Sequence, residues 1–258
     1  MDRGRFYPSS RTRRVSSTPI TTGCSAIDDL LGGGFDRGAI TQLYGPPASG
    51  KTNLALSAAI ETAAAGERVL YIDTEDLSID RFEQLAYAQL DRSPIKTDAE
   101  TEADRTDIND LTSRVIISEA LDFQEQEEAV KDAAEIAQTV DLIVLDSATG
   151  YYRLERTERD DGDALRAVAR QVTHLLSLAR RYDLAVLITN QVFTDPDTER
   201  AQPLGGHTLM HWSGTVLRLE RFRGGNRRAQ LEKHRSKPTG ERARFQITDT
   251  GISTTDTP

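Results

Sequence analysis

Apolar residues recur along this chain in two alternating periods. Short apolar runs stand at Ala39-Ile40-Thr41-Gln42-Leu43-Tyr44, Arg68-Val69-Leu70-Tyr71-Ile72-Asp73, Arg114 to Ser118, Leu142-Ile143-Val144-Leu145-Asp146-Ser147 and Leu184 to Thr189. Each has the length of a buried strand. Between them lie segments with apolar residues at helical spacing: Asn53 to Ala65, Ser78 to Leu90, Asp122 to Gln138, and Ala164 to Tyr182 with Leu165, Val168, Val172, Leu175 and Leu176. A shorter helix around Ile27, Leu30 and Leu31 ends at Gly32-Gly33-Gly34, a helix stop. Beyond residue 190 the pattern turns β-rich, with strands expected over Thr215 to Phe222, Ala229 to His234 and Arg244 to Ile247. Strand–helix alternation followed by consecutive strands predicts an α/β fold, a mainly parallel sheet flanked by helices with antiparallel strands on its C-terminal side.

Three stretches carry no clear period. Residues 1–17 hold five arginines and one acid and read as a disordered basic tail; they either touch DNA or precede the true start of the protein. Residues 91–113 read as a solvated acidic loop, and Phe193 to Gln202 as a polar loop. The expected division is therefore a tail over 1–17, one core over 18–252 and a short tail over 253–258. Trp212, the single tryptophan, is expected to pack in the core rather than stack on a base.

Composition narrows the class. The chain has 258 residues, a formal net charge of −9, and 32 basic residues of which five are lysine. An acidic, lysine-poor surface suits a protein working in high salt, where self-repulsion is screened; a GC-rich genome accounts for the same bias in an ordinary acidic protein. Cys24 is the only cysteine, which excludes an intrachain disulfide, and it is read as a partly buried thiol. No apolar run is long enough to span a membrane, and a cytoplasmic location is expected. The charge inverts locally: residues 218–244 hold ten Lys or Arg against Glu220, Glu232 and Glu241, a basic edge suited to a polyanion.

The chemistry centres on Gly45-Pro46-Pro47-Ala48-Ser49-Gly50-Lys51-Thr52, the spacing G-x-x-x-x-G-K-T between a strand and a helix. Glycines let the backbone wrap a polyphosphate, and the following helix directs its positive end at it. Lys51 suits the β- and γ-phosphates and Thr52 a Mg²⁺ ion, so ATP and Mg²⁺ are the expected cofactors. Glu75, Asp146 and Gln191 each follow the C-terminal end of an expected parallel strand, the edge where such sheets place their sites. A glutamate there suits activation of a water, an aspartate closing a strand suits the metal, and a glutamine suits sensing of the terminal phosphate.

Several separated stretches share one resemblance. Thr22-Gly23 with Leu30-Leu31-Gly32-Gly33-Gly34, the loop 45–52, Tyr71-Ile72-Asp73-Thr74-Glu75, Leu145-Asp146-Ser147, Arg153 with Glu155, Ile188-Thr189-Asn190-Gln191 and Pro203-Leu204-Gly205-Gly206-His207 resemble the RecA/RadA recombinase family, most closely its archaeal RadB paralogues, in order and spacing over about 18–252. The resemblance implies a RecA-like ATPase core. It implies Glu75 as the water-activating base, Asp146 as the Mg²⁺-associated acid, Gln191 as the link from γ-phosphate to DNA, and Arg81 on the adenine. Two DNA-binding loops, 153–163 and 192–206, are implied, with Arg153, Arg156, Arg159, Arg200, Gly205 and Gly206 as contacts. Lys233 and Arg235 fall where related cores reach the neighbouring subunit's ATP. RadA proteins also carry an N-terminal helix-hairpin-helix domain and a Phe-x-x-Ala docking segment; here Phe6-Tyr7-Pro8-Ser9 lacks the alanine, and Asp76 stands where RadA proteins usually have Gly. These departures imply an accessory protein of repair and recombination that binds ATP and DNA, turns ATP over slowly, and has RadA recombinase and a Holliday-junction resolvase as partners. A working strand-exchange recombinase and a KaiC-like signalling ATPase are the alternatives.

Overall fold

A computed structural model describes residues 18–92, 108–152, 161–194 and 201–255. The basic tail, most of the acidic loop, and Arg153, Arg156, Arg159 and Arg200 lie outside the described residues. Nine strands form one sheet, in the order β11-β10-β9-β8-β1-β5-β4-β2-β3. The parallel half comprises β1 (Ala39–Tyr44), β2 (Val69–Asp73), β3 (Val115–Glu119), β4 (Leu142–Asp146) and β5 (Ala185–Asn190). β8 (Thr215–Arg221) runs parallel to β1 and starts an antiparallel series through β9 (Asn226–Lys233), β10 (Arg242–Thr248) and β11 (Gly251–Thr254). The core is expected to end at 252 with a tail over 253–258, but β11 carries the sheet to Thr254.

Two apolar layers cover the sheet, the first extending from the parallel strands onto β8–β11, where α1 packs. On one face pack α1 (Ser25–Leu31), α2 (Lys51–Ala64), α3 (Ile79–Arg92) and the short α4 (Ile108–Thr112). On the other pack α5 (Phe123–Ile136), α6 (Asp161–Tyr182) and α7 (Gly206–Trp212). Strands such as Leu142–Asp146 are buried at every position because both faces are covered, hence their continuous apolar runs. Asp122 caps α5 by accepting from the Glu125 N–H. Arg37, its side chain 5 % exposed, ties the strand entries together through Glu67 at 2.7 Å and Asp141 at 3.1 Å.

Three local readings need correction. Within the expected acidic loop, α4 forms because Leu111 inserts into the core at 0 % exposure; one buried leucine outweighs its polar neighbours. The expected polar loop after residue 192 contains two short antiparallel strands, β6 (Val192–Thr194) and β7 (Ala201–Pro203), with Val192 opposite Pro203. Trp212 is not a core residue: it is 39 % exposed at the end of α7, edge-on to the His211 ring at 5.0 Å.

Candidate nucleotide site

The loop Gly45 to Gly50 joins β1 to α2 at the C-terminal edge of the sheet. Its shape demands particular residues. A Cβ on Gly45 would meet the Leu219 carbonyl oxygen at 2.2 Å, and Gly50, at φ 105°, caps α2 in a left-handed conformation. A cleft of about 380 Å³ opens over the loop, lined by Gly45, Pro47, Ala48, Gly50, Lys51 and Thr52, with Asn53, Glu75, Gln191 and Val192 opposite. Pro46 and Ser49 shape the loop from behind: the Ser49 N–H donates to the Pro46 carbonyl at 3.2 Å.

Lys51 is buried, and its ammonium donates to the loop's own Gly45 and Pro46 carbonyls at 3.1 and 3.3 Å. Burial lowers its pKa, while Glu75 and Asp146 pull the other way. Asp146 lies beneath the cleft, 1 % exposed, outside the lining. Burial raises its carboxyl pKa, opposed by hydroxyl donors from Thr189, Tyr71 and Thr52. The Tyr71 hydroxyl donates at 2.7 Å. Register explains this reach: Asp73 faces Asp146 across the β2–β4 pair, and Tyr71 is the next residue on Asp73's side of its strand.

Glu75 follows β2 on a turn that Asp73 organises by accepting from the N–H groups of Glu75 at 3.1 Å and Leu77 at 2.7 Å. Asp76 takes φ 59°, a left-handed position that asparagine-like side chains tolerate better than most. One oxygen of Glu75, Oε1, accepts from both the Ser147 hydroxyl at 2.7 Å and the Gln191 amide at 2.9 Å. Thr74 and Ser147 lock the two strand ends together, the Ser147 N–H donating to Thr74 Oγ1 at 2.7 Å and the Thr74 hydroxyl donating to the Ser147 carbonyl at 3.0 Å.

Lys51, Thr52, Glu75 and Gln191 thus meet in one cleft with Asp146 below it. The remaining expected positions lie elsewhere. Arg81 donates to Asn53 Oδ1 at 3.0 Å, Gln84 at 2.6 Å and the Thr248 and Asp249 carbonyls at 2.8 and 3.2 Å, and is outside the cleft lining. Lys233 donates to the Met210 and His211 carbonyls at 2.7 and 3.3 Å, closing the C-terminal end of α7. Arg235 lies against Gly214, where an added Cβ would meet its Nε at 2.7 Å. Gly205, at φ 76°, and Gly206 open α7 just after the β6–β7 pair. Tyr71, Ser147 and Thr189 escaped the sequence reading as site residues; strand alternation between Tyr71 and Asp73 was the only available signal.

The donor set fits a Mg²⁺-nucleotide. Among the described residues the Ser49 hydroxyl is buried in the loop without a protein partner and Lys51 has only carbonyls to bind, and a hydroxyl–carboxylate pair, Thr52 and Asp146, stands beside it.

The Rad51 family model matches residues 13–255. The chain is 60 % identical over 242 residues to the DNA repair and recombination protein RadB of Halobacterium salinarum, covering 93 % of this chain and 96 % of that one. It is 44 % identical over 240 residues to the RadB of Methanoculleus marisnigri, covering 91 % and 97 %. A crystal structure of the RadB recombinase superposes with a TM-score of 0.74 at 34 % identity, covering 92 % of this chain and all of the other. The 60 % likeness to a Halobacterium protein accords with the acidic, lysine-poor composition. The chain belongs to the Rad51 family of RecA-like proteins, in its RadB branch.

Proposed function

We propose that this protein acts in DNA repair and homologous recombination, as an accessory to a RadA-type recombinase that binds ATP with Mg²⁺, binds DNA and hydrolyses ATP slowly. The observation that carries the reading is the meeting of Lys51, Thr52, Glu75 and Gln191 in one cleft above Asp146, in a chain so similar to proteins named for repair and recombination. Lys51 neutralises phosphate charge; Thr52 and Asp146 are the residues that would hold the metal. Mg²⁺, when bound, supplies positive charge at the phosphate oxygens. Glu75 orients and deprotonates a water, and Gln191 carries the state of the site to the adjoining β6–β7 pair, since it precedes Val192 directly.

Slow turnover is supported by the state of Glu75. Two donors on one carboxylate oxygen compete with a water for it. Branched-DNA processing with a Holliday-junction resolvase belongs to the same proposal. The test is DNA binding by the native chain with and without ATP, beside Lys51→Ala. ATP-enhanced affinity that disappears in the variant is expected; equal affinity in all four measurements refutes nucleotide control. Capture of RadA from the native host by the ATP-loaded chain tests the partner, and its absence under the host's ionic conditions removes the accessory role.

A further inference from the structure

The outward face of β9–β11 takes no part in the apolar layer on the α5–α6 side, which draws its strand residues from β1, β2, β4 and β5. On that face Arg228 stands directly opposite Arg244 across the β9–β10 pair, an arrangement of like charges that destabilises a sheet unless an anion lies between them. Arg228 is partly compensated: it pairs with Glu220, with Nε at 2.8 Å, and lies over the half-exposed Phe222 ring at 4.7 Å. Glu220 also serves Arg218 at 3.0 Å, so one carboxylate answers two guanidiniums. Arg244 is exposed and its guanidinium has no hydrogen bond or ion pair among the described residues. Arg227 turns to the other side of its strand. Its Nη1 donates to the Gly225 carbonyl at 2.7 Å, and its Nε is buried with no partner among the described residues, a costly state for a cationic donor.

Arg228 and Arg244 line a cavity of about 180 Å³ with Phe222, Asn226, Thr255 and Arg227, whose side chain leaves for the opposite face; no acid lines it among the described residues. We propose that this cavity binds a phosphate group, either free or as the terminal phosphate of a nucleic-acid strand. Guanidinium forks match tetrahedral oxyanions in pairs, and the volume suits a single such group. The site communicates with the nucleotide loop through Arg227. A Cβ built on Gly50 lies 3.1 Å from Arg227 Cδ and 3.4 Å from its Nε, so the arginine is packed against the residue that caps α2. An anion that draws Arg228 and Arg244 together moves the β9 main chain at Arg227, and with it the packing against Gly50 and the affinity for ATP. This coupling rests on nucleotide binding by the loop; the anion site itself does not.

Calorimetric titration of the Lys51→Ala chain, which suppresses phosphate uptake at the loop, tests the site at a salt concentration where the protein is folded. Three probes are compared: inorganic phosphate, a 5′-phosphorylated dinucleotide and the same dinucleotide with a 5′-hydroxyl. Saturable binding of a phosphate-bearing probe is expected, weakened by about tenfold or more when Arg244→Gln is added. Tighter binding of the phosphorylated dinucleotide assigns the site to a strand end, and equal binding to free phosphate. No saturable binding, equal binding of the 5′-hydroxyl probe, or no loss in Arg244→Gln overturns the proposal. ATP affinity of the native chain is then measured with and without the preferred probe. A change of about twofold or more that vanishes in Arg227→Gln is expected, and no change in the native chain removes the coupling. A native chain that binds no ATP ends the nucleotide reading while the first titration still decides the anion site.

Discussion

Gly45→Ala separates what the loop's shape contributes from what its charges contribute. The added Cβ lies 2.2 Å from the backbone oxygen of Leu219 and 2.8 Å from the Ser49 hydroxyl. The hydroxyl can rotate away. The carbonyl cannot, because Leu219 lies within β8 and is paired with Ala229 of β9. An ordinary C···O contact is about 3.3–3.6 Å, so the loop must retreat by roughly 1 Å. Overpacking of this kind costs about 1–3 kcal/mol of stability. A displacement of about 1 Å in groups that position a ligand costs on the order of 100-fold in function. Gly66→Ala supplies the control: at φ 82° the substitution is strained, but a Cβ meets nothing within 4 Å. It should lose about 1–2 kcal/mol of stability by left-handed strain and leave the site unchanged. Denaturant melts and equilibrium binding of a fluorescent ATP analogue measure both quantities. Nucleotide affinity in Gly45→Ala within about twofold of the native value, with Gly66→Ala equally stable, refutes the steric reasoning.

Lys51→Met should abolish tight nucleotide binding and yet raise the thermal midpoint at neutral pH. The folded-state pKa of Lys51 lies below its unfolded value, so its burial penalty is fully present at low and neutral pH and fades as pH rises through the folded pKa. The stabilising effect should shrink in melts taken at alkaline pH, and a midpoint lower than native at pH 7 contradicts it. Leu111→Ala should cost about 2–5 kcal/mol in denaturant melts, because the leucine is fully buried; a cost below about 1 kcal/mol would mean that α4 does not dock as described. Cys24, 2 % exposed with its thiol pKa raised by burial, should resist a thiol reagent in the folded chain at pH 8 and react promptly once unfolded; rapid native labelling by absorbance would contradict its placement.

Most positions of the candidate site are legible in local pattern. Strand–loop–helix patterning around Gly45 to Thr52 located the phosphate loop, and β1 occupies the expected residues 39–44. Glu75, Asp146 and Gln191 are legible as neighbours because parallel strands deliver their C-terminal residues to one edge, and three apolar runs are followed there by polar groups. The covered sheet, helices on both faces and antiparallel C-terminal strands also follow from local pattern. What pattern does not contain is cross-strand register and depth. That Tyr71 supports Asp146, or that Ser147 and Gln191 share one oxygen of Glu75, depends on which strands become neighbours and how they align. The same limit explains the exposed Trp212, whose apolar character says nothing of where α7 ends, and Leu111, buried inside an acidic stretch by a contact distant in sequence. Tertiary structure alone placed Arg244 opposite Arg228 and set Arg227 behind Gly50, because residues far apart in the chain become partners only when the sheet closes their distance.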